Sequence, residues 1–209
     1  NENLSESGKQ SISIPLGKTE ITRKVKSLTI IIRSYTFGDV DGTKVMLDQN
    51  KKRIFDLPKI EYTLRTIKSV IKSCEIAKEF FKDVGIKIVI TDDKSSKENL
   101  DKIDQVLKAS NLKTELINLK ENEFNDQIKT IDTEGKDISK NMVSNMRNLF
   151  KSIEIAETED TDLFYFLEDD YIHTKEAITE MLFTYEKISS QLNQELFLCP
   201  ADYPYLYSS

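Results

Sequence analysis

Five short, mainly apolar runs constrain what this chain can fold into. They are SLTIIIRSY (Ser27–Tyr35), IKIVI (Ile86–Ile90), TELINL (Thr114–Leu119), DLFYFLEDD (Asp162–Asp170) and ELFLCPAD (Glu195–Asp202). A strand with one wet face alternates apolar and polar residues, whereas a strand covered on both faces need not. These runs show little alternation, so they predict buried strands. The segments between them carry apolar residues every three or four positions, the mark of amphipathic helices. Leu64, Ile67, Ile71, Cys74 and Phe81 define one helix from Ile60, ended before Gly85. Leu100, Ile103 and Leu107 define a second, Met142, Met146, Leu149, Phe150 and Ile153 a third, and Ile178, Leu182 and Tyr185 a fourth. Alternating strands and helices predict an α/β fold, a mostly parallel Rossmann-like sheet with helices on both faces.

Composition agrees with such a core. Of the 209 residues 38% are hydrophobic, enough for one α/β domain. The formal net charge is -6, and Lys and Arg are interleaved with Glu and Asp, so no basic stripe points to nucleic acid. Cys74 and Cys199 lie far apart without metal-type spacing, which predicts two reduced, buried thiols and a cytoplasmic setting. No run is long enough to span a bilayer, and no signal-peptide pattern opens the chain. Residues 1–24 are polar and broken by Gly and Pro. They read as a flexible arm with one short strand at SISIPL, ahead of a domain over 25–209. Residues 120–140 read as a polar, mobile connection. The initial Asn and the abrupt apolar, aromatic end predict a piece of a longer protein, truncated at its C-terminus.

The predicted strands release their suggestive residues at one edge of the sheet: Arg33-Ser34-Tyr35, Asp92-Asp93, Glu168-Asp169-Asp170 and Asp202. Ligands of open α/β sheets bind beyond that edge. Carboxylates gathered there suit a hard divalent cation that takes few protein ligands and completes its shell with water and phosphate oxygens. The same residues also suit a solvated strand end followed by acids at a helix N-terminus. Other motifs are lacking: there is no phosphate-binding Gly-rich loop and no nucleophile elbow. DVDGTKVMLD lacks the third acid and the closing Glu of a calcium loop.

FYFLEDDY, behind a helix carrying Asn145 and Arg147, resembles the acidic strand-end motif of nucleotide-sugar glycosyltransferases with the GT-A fold, in its EDD form. The similarity is greatest to family-2-like and N-acetylglucosaminyltransferase I-like enzymes and covers roughly residues 28–207. The resemblance implies metal-dependent transfer of a sugar from a nucleotide-diphosphate sugar to a hydroxyl of a saccharide, lipid or protein acceptor, with Mn²⁺ or Mg²⁺ as cofactor. Carried over by position, Asp170 is the metal ligand with Glu168 in support, and Asp169 meets the ribose or donor sugar. Asp92, with Asp93, faces the base. Arg33, Ser34 and Tyr35 lie beside base and ribose, and Asn145 and Arg147 near the diphosphate or sugar. Asp202 is the candidate catalytic base, although the family places that carboxylate farther along the chain.

Some residues keep two readings. Tyr35 either stacks on a pyrimidine or packs. Arg147 either binds phosphate or pairs with an acid. His173 reads first as a polar residue at a helix start and second as a metal or phosphate contact. A competing function is a non-catalytic nucleotide- or metal-binding module, or a receiver-like regulatory domain. The receiver reading wants a Lys at a late strand end, and none follows LFLCP.

Overall fold

The structure, a computed structural model, describes residues 20–36, 57–131, 135 and 137–200. The expected SISIPL strand, the DVDGTKVMLD segment and Asp202 lie outside the described residues. The elements run β1 (Ser27–Ser34), α1 (Lys59–Phe80), β2 (Gly85–Asp92), α2 (Lys97–Lys108), β3 (Lys113–Asn118), α3 (Lys140–Thr158), β4 (Leu163–Glu168) and α4 (Ala177–Leu192). The four strands form one all-parallel sheet in the order β3-β2-β1-β4. The chain divides into two compact units, Val25–Glu180 and a second comprising Asn1–Lys24 with Met181–Ser209.

Strand register explains the layers. Ile31 pairs with Val89 and Phe166, whereas Ile30 and Ile32 pair with Ile88, Ile90, Tyr165 and Leu167. Successive side chains alternate faces, so Ile31 and Val89 share one face and meet Ile155 of α3 there. The β1–α1–β2 and β2–α2–β3 crossovers step one way along the sheet, and β3–α3–β4 steps back the other way. Right-handed crossovers then put α1 and α2 on one face and α3 on the other. Ile30, Ile31, Ile32, Ile88, Val89 and Ile90 are fully buried, which accounts for the unbroken apolar runs of β1 and β2.

Three expectations need correction. First, β4 and β3 border the described sheet and are not buried on both faces; Phe166 is 48% exposed. Second, ELFLCPAD forms no strand over its described part: Glu195–Pro200 has no regular structure and Phe197 is wholly exposed. Asn193 adopts a left-handed φ of 53° just past α4. Glu195 then pairs with Arg23 at 2.7 Å and accepts from the Tyr185 hydroxyl, while the Arg23 guanidinium stands over the Tyr185 ring. Arg23 and that hydrogen bond hold the Glu195 carboxyl near pH 2.

Third, α3 turns a different face inward. The apolar set from Met142 to Ile153 is not the buried one, since Leu149 and Ile153 remain 37% and 43% exposed. Ser144, Arg147, Asn148, Ser152 and Ile155 are buried instead. The reason is position: the first turns of α3 cover strand ends, where carboxylates and carbonyls need donors, and the helix reaches the apolar part of the sheet later, through Ile155 and Ala156. The described part of the 120–140 connection is also tied down, by Arg147 donating to the Lys120 and Glu123 carbonyls. Among the described residues, no helix is long and apolar enough to cross a membrane.

The burial contrast predicts unequal costs. Ile88→Ala should destabilise by about 2–5 kcal/mol, whereas Phe166→Ser should cost less than about 1.5 kcal/mol because half of that ring already faces solvent. Urea unfolding of both variants would check this.

Candidate functional site

β1 and β4 are neighbours in the sheet although they are the first and last of these strands in sequence, so the strand order reverses between them. Such reversals open a crevice beyond the strand ends. The structure brings the sequence-distant candidates together there. Arg33 Nη2 donates to Glu168 Oε1 at 2.6 Å, and Nη1 donates to Asn145 Oδ1 at 3.0 Å. The Tyr35 backbone N–H reaches Asp169 Oδ2 at 3.4 Å. Lys59, the first residue of α1, was not singled out in the sequence. Its Nζ lies 2.6 Å from Asp169 Oδ1 and 3.8 Å from Asp170 Oδ2. Thr63, one turn later on the same helix face, donates to Asp169 Oδ2 at 2.7 Å.

Burial sorts the three acids of the EDD motif. Asp169 is 6% exposed, so its charge requires the partners it has. The side chains of Glu168 and Asp170 are about half exposed, at 51% and 47%. The partly open Arg33–Glu168 pair is worth roughly 0–1 kcal/mol. Arg33 can therefore change partners at small cost, and Asp169 cannot.

One strand further along lies a second, closed group. Asp92 is fully buried, and Ser95 satisfies both its oxygens, the backbone N–H at 3.0 Å and the hydroxyl at 2.6 Å. Burial pushes its carboxyl above the ordinary aspartate value despite those bonds. Thr36 donates to Ser95 through N–H and hydroxyl, and Asn99 donates to Thr36, so the end of β1 is joined to the start of α2. Asp93 pairs with Arg147 at 3.1 Å, their side chains only 2% and 3% exposed, and accepts from Ser144 at 2.6 Å. Arg147 is thus a buried structural cation, neither a surface Arg nor one open to a phosphate. Asp92 in this arrangement is fully enclosed, with both oxygens already accepting from Ser95. Ser34 is buried, and its carbonyl accepts from Asn148.

Tyr35 is half-buried at the crevice. Burial, then the charges of Asp93 and Asp92, raise its hydroxyl pKa, so it stays neutral. His173 precedes α4 rather than starting it. Its Nε2 lies 2.9 Å from the Tyr165 hydroxyl and its N–H donates to Ser69. Partial burial lowers its pKa, and nothing brings it to the acidic motif.

Among the described residues, no three His, Cys, Asp or Glu side chains converge as a metal-binding group. Asp169 is enclosed, Glu168 accepts from Arg33, and the positive charge between Asp169 and Asp170 is the Lys59 ammonium. A dication within about 4 Å of that ammonium would meet repulsion on the order of 8 kcal/mol at an effective dielectric constant of ~20. As arranged, Asp170 with Glu168 does not fit a metal while Lys59 is in place.

No family model, no curated protein and no solved structure matches this chain.

Two outcomes follow from the closed group. Arg147→Ala strands Asp93 without its cation and should cost about 3–5 kcal/mol, read by urea unfolding. Asp92 binds its proton more tightly when folded than unfolded. Its contribution to stability is therefore full below pH 3.8 and is lost as pH rises from there through the raised folded value. Asp92→Asn should flatten that decline, so the variant gains on the wild type between acid and neutral pH in a stability–pH series.

Proposed function

We propose that the Val25–Glu180 unit binds a nucleotide-diphosphate sugar in the β1/β4 crevice and serves a GT-A-like glycosyltransferase, passing the sugar to a hydroxyl acceptor. The observation that carries this reading is the meeting of Arg33 with Glu168, of the Tyr35 backbone with Asp169, and of Lys59 with Asp169 and Asp170, where the strand order reverses. Each group there has a chemistry a donor would use. A guanidinium held by an exposed acid and an Asn amide can turn to a phosphate, for which its planar fork is suited. A neutral tyrosine carries a ring of the kind that stacks on a base. Asp170, half exposed, is an acceptor for sugar hydroxyls. Transfer also needs a carboxylate to take the acceptor hydroxyl's proton as its oxygen bonds to the anomeric carbon and that carbon's bond to the diphosphate breaks, releasing the nucleoside diphosphate. Asp202 is assigned that task from the sequence and lies outside the described residues.

The strand order disfavours the receiver-like alternative. In that arrangement β1 lies between β2 and β3, whereas here β3 lies outside β2.

Calorimetric titration with UDP-, GDP- and CDP-sugars tests the proposal. One of them should bind, and Arg33→Ala should weaken it by about tenfold or more, the loss expected for a charged hydrogen bond. The unfolding midpoint should barely move, because the Arg33–Glu168 pair contributes little. Binding of no nucleotide sugar, or full affinity without Arg33, would overturn the assignment.

A further inference from the structure

We propose, resting on the nucleotide-diphosphate reading of this crevice, that Lys59 is the site's own cation: its ammonium, rather than a divalent metal, meets the donor diphosphate. A single nitrogen stands 2.6 Å from Asp169 and 3.8 Å from Asp170, between two adjacent acids of the motif. Asp169 is 6% exposed, and its other oxygen is taken by Thr63. A metal would have to evict the ammonium from a nearly closed carboxylate that already has its complement of donors. Lys59 is also placed to stay. It is the first residue of a 22-residue helix whose interior face is anchored by Ile60, Leu64, Ile67, Val70 and Ile71.

The charge count shapes the division of labour. Glu168, Asp169 and Asp170 face Arg33 and Lys59, three negative charges against two positive. Asp169 is neutralised internally and Glu168 is matched by Arg33. Asp170 remains the weakly compensated acid, suited to hydroxyl donors of a sugar rather than to phosphate oxygens. The diphosphate then falls to Arg33 and Lys59, both with side chains 19% exposed. The acidic motif thus orients two basic groups and one sugar-binding carboxylate without forming a metal shell.

The test is nucleotide binding, with UDP, GDP, CDP and their sugar conjugates as probes, in EDTA and again with Mn²⁺. The wild type should bind one of them in EDTA, with no more than about a twofold change when Mn²⁺ is added. Lys59→Met should lose about tenfold or more of that affinity, the scale of one charge-assisted hydrogen bond. Removing Lys59 alone strands Asp169 and endangers folding, so the double variant Lys59→Met/Asp169→Asn, which removes both charges, is measured beside it. Circular dichroism confirms that it is folded, and the same affinity loss is expected. Binding that needs Mn²⁺ in the wild type, or survives undiminished in the folded double variant, overturns the role of Lys59 while leaving the nucleotide reading intact. Absence of binding in both conditions overturns both.

Discussion

Every strand of a parallel sheet releases its last residues at the same edge, and here that edge must accommodate Asp92, Asp93, Glu168, Asp169 and Asp170. Burying a carboxylate without partners costs more than any single contact in the core returns. The fold meets the constraint in three ways. Asp92 is held by the hydroxyl and amide of Ser95. Asp93 is matched by Arg147 from α3, and Asp169 by Lys59 and Thr63 from α1. The helices therefore dock through charge as well as through apolar area. What remains open, Glu168 with Arg33 and the exposed side of Asp170, is the part of the edge free to meet something else.

This constraint explains the inward face of α3. Apolar periodicity finds a helix's buried side when the helix lies over the middle of a sheet, as α1 shows through Ile67, Val70 and Cys74. α3 begins over the strand ends, where the surface beneath is polar. Its inside is written in Ser144, Arg147, Asn148 and Ser152, spaced three and four apart like any helix stripe. The same spacing scored for hydrogen-bond donors would have found it. The Met142 to Ile153 set obeys the period too, and nothing within the helix alone says which of the two stripes wins.

Much of the sheet was legible for a simple reason. β1 and β2 are central, and residues such as Ile30, Ile31, Ile88 and Val89 have to be apolar whichever way they face. β4 carries a similar run for a different reason, and a run cannot distinguish a central strand from a border strand with aromatic residues on its open face. At the edge, the pairing of Arg33 with Glu168 was legible only as membership of one cluster, because 135 residues and three crossovers separate the two. Lys59 was not legible at all. Nothing in its sequence neighbourhood marks it, and only the topology, which starts α1 beside the tip of β4, gives it meaning.

Thr36 is fastened to Ser95 and Asn99, and Lys59 to Asp169. The end of β1 is thereby tied to the start of α2, and the start of α1 to the residue just past the end of β4. Each tie joins elements that the sheet hydrogen bonds alone do not connect, so Arg33 and the acids hold their spacing through side chains as well as through the strand ladder.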